Sequence, residues 1–317
     1  MSDFSNPAFH DEAIAREWLE ARLWKDGPIC PHCGTIDEAT LMKGGSHRPG
    51  LYQCNACREP FTVTVGTIYE RSHLPLHKWL AATHLMMASK TGMSALEVGR
   101  LLGLSKKTAW FVCHRIRESL RETKPEIPLG SQNKVVEADE TYVGGKEKNK
   151  RKSKRVPGGT PKEAVVALVE RDGRVRSQHV ASVTAKTLKP ILHAQIDKKS
   201  YLMTDESNVY SPIGSAFGGH GTVNHSIEEY GRNYFWHTNT VESYFAIFKR
   251  GVYGTFHHVS QQYLKRYLAE FDFRYNERDA LGVTDAARME KSIQGIVGKR
   301  LTYRRTRRTE EAHQVDA

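Results

Sequence analysis

Three regimes of hydrophobic patterning succeed one another along this chain. From 6 to 24, "NPAFHDEAIAREWLEARLW" gathers Leu and Trp on one side and predicts an amphipathic helix, packed on the cysteine-bearing segment after it rather than on DNA. From 74 to 122 the pattern is helical throughout, in "LPLHKWLAATHLMMASKTG" and then "MSALEVGRLLGLSKKTAWFVCHRIRESL". Ser94 with Glu97 makes a capping box, Gly103 suits the left-handed residue that ends a helix, and Ser105 can cap the next one. Helix, short turn, helix is the layout of a DNA reader, although an ordinary helical hairpin with a solvated basic face has the same pattern.

After a proline-containing linker at 124–132 the period shortens to that of strands. "KVVEADETYVGG" (134–145) runs β-branched residues into Asp139, with Gly144 and Gly145 set for a turn. "KEAVVALVERDGRVRSQHVASV" (162–183) is two apolar runs joined at Asp172-Gly173, a hairpin signal. "AKTLKPILHAQI" (185–196) reads as a helix despite Pro190, and "SYLMTDES" (200–207) as a short strand ending at Asp205. Strand, hairpin, helix, strand and a later helix is the order of a ribonuclease-H-like core. The fold class expected is therefore multidomain α+β: a small cysteine-bearing ribbon, a helix-turn-helix-like segment, and a ribonuclease-H-like α/β core with a mixed sheet. The expected boundaries are 1–70, 71–125, 132–285 and, for a terminal helix with a basic tail, 286–317.

The later helix is "HTNTVESYFAIFKRG" (237–251), where Asn239, Glu242 and Lys249 share one stripe at 3.6 residues per turn. Such a stripe is either a solvated outer face or a placed one. Val241, Tyr244, Phe245, Ile247 and Phe248 crowd it with apolar bulk, so Glu242 stands at a buried boundary and needs a partner. In the expected core the first strand and the strand after the helix lie side by side, making Asp139 and Asp205 neighbours, with Glu242 brought across the sheet. Such an oxygen-rich set suits Mg²⁺ or Mn²⁺. Two ions about 4 Å apart would activate a water or a DNA 3′-hydroxyl and stabilise the leaving oxygen. Lys249, about 10 Å further along the helix, would reach a phosphate. Glu137, Glu140 and Glu206 flank the aspartates; strand alternation turns Glu140 and Glu206 away from the metals, with any of the three a stand-in for one of the ligands.

Charge and cysteines sharpen this picture. The 317 residues are 39% hydrophobic and carry 47 Lys and Arg against 36 Asp and Glu, a formal charge of +11 with a pI near 9.4, which favours a polyanion, nucleic acid first. Basic runs at 146–155 and 299–308 are solvated segments, the first of them either a disordered insertion or a loop that closes on DNA. With neither a long apolar stretch nor a charged-then-apolar start, the chain is expected in the cytoplasm, on a bacterial nucleoid when bound. Lys106, Lys107, Thr108, His114 and Arg117 are expected exposed on the second helix of the pair, where they would reach DNA together with Lys249 and Arg250. Cys30-Pro-His-Cys33 and Cys54-Asn-Ala-Cys57 are two knuckles twenty residues apart, the spacing of a structural zinc ribbon with all four positions filled. His32 is left out of the shell, and Cys113 is expected as a buried apolar residue. The histidines 220, 225, 237, 257 and 258 cluster around the third acidic motif.

Taken together, "CPHC" with "YQCNAC", "GTIYERSHLPLHKW", "VEADETYVGGK", "MTDES", "HTNTVESYFAIFKRGVYGTFHHVS" and "YLAEFDFRYNER" resemble, in order and spacing, bacterial insertion-sequence transposases of the DDE type. The resemblance is to the ISXO-like group, the family numbered fifteen-ninety-five, over nearly the whole chain. It implies binding of terminal inverted repeats, metal-dependent cleavage of donor strands and joining of their 3′-ends to target duplex, on at least a dimer once assembled on DNA. Asp139 and Asp205 match the first two acidic positions. The family carries asparagine or glutamate at the third; the basic residue seven further on favours Glu242, with Asn239 as a neutral ligand or DNA contact. Two other readings stand beside it: a nuclease or junction resolvase on the same core, and a DNA-binding regulator that has lost catalysis.

Overall fold

The computed structural model describes residues 4–122, 127–144, 152–154, 162–223, 235 and 237–301. The chain makes two compact units, one from Met1–Ala88, Ala95–Leu120 and Thr284–Ala317, the other from Ser89–Ser94 and Arg121–Val283.

In the first unit, helix α1 (Glu12–Leu23) begins where the Asp11 carboxylate accepts the N–H groups of Ala13 and Ile14 at 2.8 and 2.9 Å, satisfying donors that the helix itself leaves open. Strands β1 (Ala39–Leu41), β2 (Tyr52–Cys54) and β3 (Pro60–Phe61) pair antiparallel in that order. Trp24, just past α1, meets the rings of Tyr52 and Phe61 edge-on, so the end of the first helix packs on the ribbon. Helices α2 (Leu76–Ala88), α3 (Ala95–Leu102) and α4 (Lys106–Ser119) come next. Gly103 is left-handed (φ 64°) and Ser105 caps α4 by accepting the Thr108 N–H, the two punctuation marks expected there.

The second unit is built on β4 (Val135–Val143), β5 (Glu163–Glu170) and β6 (Val175–Val180), an antiparallel run, then helix α5 (Ala185–Gln195), β7 (Tyr201–Asp205), the short α6 (Ser211–Gly214) and β8 (Gly219–Val223). The sheet order is β6-β5-β4-β7-β8, with β4–β7 and β7–β8 parallel. Helix α7 (Asn239–Arg250), a π-helical turn at Gly251–Thr255, and α8 (Gln261–Asn276) complete it.

Both sheet faces are covered, which explains why β5 reads as an unbroken apolar run and not as an alternation. On one face Val136, Ala138, Val166 and Leu168 pack with Leu188 and Leu192 of α5 and Ile213 of α6. On the other, Val143, Val165, Ala167 and Val169 pack with Val241, Tyr244, Phe245 and Phe248 of α7 and Phe271 of α8. Each buried Val or Phe side chain among these contributes about 1.5–3 kcal/mol, so α7 is clamped to the sheet by its apolar stripe while its opposite stripe stays in water. A mixed sheet between helical layers is the ribonuclease-H-like α/β core expected from the element order. The chain then returns to the first unit as α9 (Asp285–Gln294), packed along α2, with Arg288 donating to the Met87 carbonyl at 2.9 Å.

Candidate metal centres and nucleic-acid interface

Strands β4 and β7 are bonded in parallel through Val135↔Tyr201, Val136↔Leu202 and Glu137↔Met203. The same offset carried two residues further sets Asp139 level with Asp205, past the last bonded pair and at the carboxyl end of β7, where open α/β sheets form their crevices. Asp139 is still paired on its other side, opposite Ala167 of β5, so the strand that carries it is held while its neighbour ends. Its Oδ1 accepts the Glu140 N–H at 2.7 Å, and Oδ1 of Asp205 accepts the Ser207 N–H at 3.1 Å. Both bonds orient a carboxylate without neutralising it.

Glu242 enters from α7, exposed in its first turn, with Oε1 accepting the Thr238 hydroxyl at 3.0 Å. Asp205 and Glu242 are both near enough to act on Asp139: burial first, then the charges of Glu140, Asp205 and Glu242, push Asp139 up to about 7, against a single opposing backbone hydrogen bond. Glu140 points to the opposite face, as alternation requires, and its Oε2 accepts the Tyr210 hydroxyl at 2.6 Å; burial raises its pKa, with that bond opposing. Glu206 is exposed. All-oxygen donors suit a hard divalent cation. Among the described residues no trio of carboxylates closes to within 4.8 Å as the cysteines do, so Asp139, Asp205 and Glu242 form an open cluster and not a finished shell. Asn239, Lys249 and Arg250 are exposed on α7, Asn239 one turn before Glu242 and the two cations in the last turn.

One role here escaped the sequence reading, in which Glu137 was only a flanking acid. Glu137, two positions before Asp139 and on the same face of β4, is fully buried and bonds the amino-terminal backbone of α7 and the guanidinium of Arg171. Its signal was available: a carboxylate inside the apolar run "KVVEA" of a covered strand must have partners.

The four cysteines converge. Their Sγ atoms all lie within 4.8 Å of one another, with Cys30–Cys57 at 3.7 Å and Cys33–Cys54 at 3.6 Å. A tetrahedral ion with bonds of about 2.3 Å places its sulfurs about 3.8 Å apart, so these thiols fit zinc. The two knuckles are built alike: Gly34 N–H donates to the Cys30 carbonyl at 2.9 Å, and Arg58 N–H to the Cys54 carbonyl at 3.0 Å. The Thr35 hydroxyl, 3.2 Å from Cys33 Sγ, draws that thiol down to about 6, toward the thiolate a metal needs. His32 stands outside the group, and Cys113 is buried as expected.

Lys106, Lys107 and Thr108 are exposed in the first turn of α4. His114 and Arg117 are not: both are buried, which corrects the expectation that they face DNA. The reason is that α4 packs against both α2 and α3, so Val112–Arg117 is covered on every side and only the first turn emerges. Among the histidines, His220 Nε2 shares a 2.9 Å hydrogen bond with the Thr204 hydroxyl and burial lowers its pKa; His257 and His258 are exposed. Gly145, His225, most of the basic run 146–155 and the basic run beyond 301 lie outside the described residues. Among the described residues no helix is long and apolar enough to cross a membrane.

Two family models match these two centres in turn: an ISXO2-like transposase domain over residues 131–276, spanning the acidic cluster, and a transposase zinc-ribbon domain over residues 10–59, spanning the cysteines. Both models are of the IS1595 transposase family, and this chain is similar to that family in each of the two segments. It is also similar to an uncharacterized protein in transposable element ISH50 of Halobacterium salinarum, 26% identical in an alignment of 281 positions that covers 84% of this chain and 91% of that protein.

Proposed function

We propose that this transposase binds the ends of an insertion sequence and catalyses both strand cleavage and strand transfer, with Asp139, Asp205 and Glu242 holding Mg²⁺ or Mn²⁺. The observation that carries the reading is the convergence of three carboxylates from β4, β7 and α7, close enough for Asp205 and Glu242 to raise Asp139. A divalent cation among them answers that repulsion. The ions, when bound, supply a lowered pKa for the attacking hydroxyl and charge neutralisation at the phosphoryl centre. The chain's own groups do the rest: Asp139 and Asp205 are pre-oriented by backbone donors, Glu242 arrives on a helix clamped to the sheet, and Lys249 with Arg250 meets phosphates further along the same stripe.

Lys106, Lys107 and Thr108, at the exposed start of α4, are the residues that reach DNA from the first unit. Synapsis of two ends requires at least two copies on DNA. The segments 1–70, 71–125, 132–285 and 286–317 then divide the work into ribbon, DNA reader, catalytic core and tail.

The test incubates the purified protein and Asp205→Asn with Mg²⁺, a labelled duplex carrying the element end, and a target plasmid. Joined product from the unmodified protein alone is the expected result. Nicks without joining would make it a nuclease, and binding without any cleavage a regulator.

A further inference from the structure

We propose that Glu137 is a positioning residue: it holds the amino-terminal turn of α7, and with it Glu242, in place beside Asp139. This rests on the metal reading of the acidic cluster. A helix start leaves backbone N–H groups without intrahelical partners, and the residue preceding α7, Thr238, makes no side-chain capping bond. The cap comes from another element instead. Glu137 Oε2 accepts the N–H groups of Thr240 and Val241 at 2.8 and 3.0 Å, and Oε1 accepts the Thr240 hydroxyl at 2.9 Å. A carboxylate also opposes the positive end of the helix dipole.

The same carboxylate carries a second tie. Arg171, in the β5–β6 turn, donates from Nε to Glu137 Oε1 at 2.6 Å, and its other two nitrogens donate to the carbonyls of Phe235 and His237, each at 2.7 Å. The ion pair therefore grips the strand below, the first turn of α7, and residues of the segment that leads into it. His237 Nδ1 lies 3.3 Å from the same oxygen.

Geometry gives this anchor its meaning. Glu137 and Asp139 are alternate residues of one strand on one face, while Val241, bonded to Glu137, immediately precedes Glu242. Any slide or rotation of α7 that moved Glu242 away from Asp139 would strip partners from a fully buried carboxylate, which costs far more than a surface bond. Glu137 thus transmits the rigidity of the central strand to a ligand carried on a helix.

The experiment compares the full-length protein with Glu137→Gln, whose amide turns a donor toward donors. Amide hydrogen exchange at Thr240 and Val241 is expected to quicken at least about ten-fold while β4 and β5 keep their protection, and Mn²⁺ affinity, measured directly on the DNA-free protein, is expected to fall about 10–100-fold. Binding of an element-end duplex without metal should stay unchanged. Thr240→Val, which deletes the hydroxyl bond and leaves the charge pair whole, is the milder variant should Glu137→Gln not fold, with an expected loss of a few-fold in Mn²⁺ affinity.

Mn²⁺ binding equal to that of the unmodified protein in the folded variants would overturn the proposal. Quickened exchange at Thr240 and Val241 together with no Mn²⁺ binding by the unmodified protein would instead overturn the metal reading, so the two failures are told apart.

Discussion

The two candidate metal centres of this transposase are built on opposite plans. The ribbon draws four sulfurs from residues 30–57, brings them to the edge lengths of one tetrahedron, and holds each pair by a turn of its own backbone. The acidic cluster draws three carboxylates from residues 139–242 and leaves them open, two of them levelled by strand register and the third carried on a helix that starts over a buried ion pair. A closed shell of matched ligands stores its stability in the metal. An open one stores like charge in the protein, to be relieved when a cation or a substrate arrives. The first kind of site supports folding and the second opposes it.

The largest effect expected from breaking this contrast is on the closed side. Cys54→Ser removes a buried ligand between β2 and the second knuckle, and the binding energy of a structural zinc is of the order of 10 kcal/mol. Zinc content should fall below one equivalent, measured by metal analysis, and the first unit should lose its thermal transition. The ribonuclease-H-like unit should keep its own, since its core is separate. A variant that retained a full equivalent of zinc would erase the contrast between the two centres.

On the open side the same kind of substitution should stabilise. Asp139 has a folded-state pKa raised from 3.8 to about 7, chiefly by burial and then by its acidic neighbours. A raised carboxylate favours folding in its protonated form: that contribution is complete below the unfolded value, near pH 4, and is lost as pH rises through about 7. Asp139→Asn keeps the neutral shape at every pH. In metal-free buffer its melting temperature should match the unmodified protein near pH 4 and exceed it above pH 7, by the equivalent of roughly 1–3 kcal/mol. Strand cleavage should be lost. Equal melting curves at pH 8 would show that neither burial nor the neighbouring acids raise Asp139.

Legibility in the sequence divides along the same line. The cysteine quartet was legible because its spacing is local, and the strands and α7 because their periods are. Asp139 and Asp205 were legible through the order of elements, since parallel neighbours with an equal offset bring distant residues level. Glu137 was visible as a flanking acid, but its role depends on Arg171 and on the start of α7, two elements whose approach no spacing encodes. His114 and Arg117 were misread for a related reason. A helical stripe says which residues share a face, and it is silent on how many faces the neighbours cover; α2 and α3 cover more of α4 than its polarity suggests. Nor does any pattern in "DAARMEKSIQ" announce that Arg288 reaches back to Met87.

The smallest effect sharpens the closed site from within. Its two knuckles place the residue after the second cysteine in the left-handed region, Gly34 at φ 79° and Arg58 at φ 64°. Glycine adopts that backbone freely, whereas a residue with a Cβ meets its own carbonyl there, at about 1–2 kcal/mol. Nothing lies within 4 Å of where a Cβ on Gly34 would stand, so Gly34→Ala tests backbone strain with no packing term. It should lower stability by about 1 kcal/mol, and Arg58→Gly should raise it by somewhat less, because glycine also loosens the unfolded chain. Both should keep one equivalent of zinc, read alongside the melting curve. If the pair shift stability in the same direction, the turns are not equivalent, and the second knuckle holds its cysteines through the Arg58 side chain instead of through its backbone.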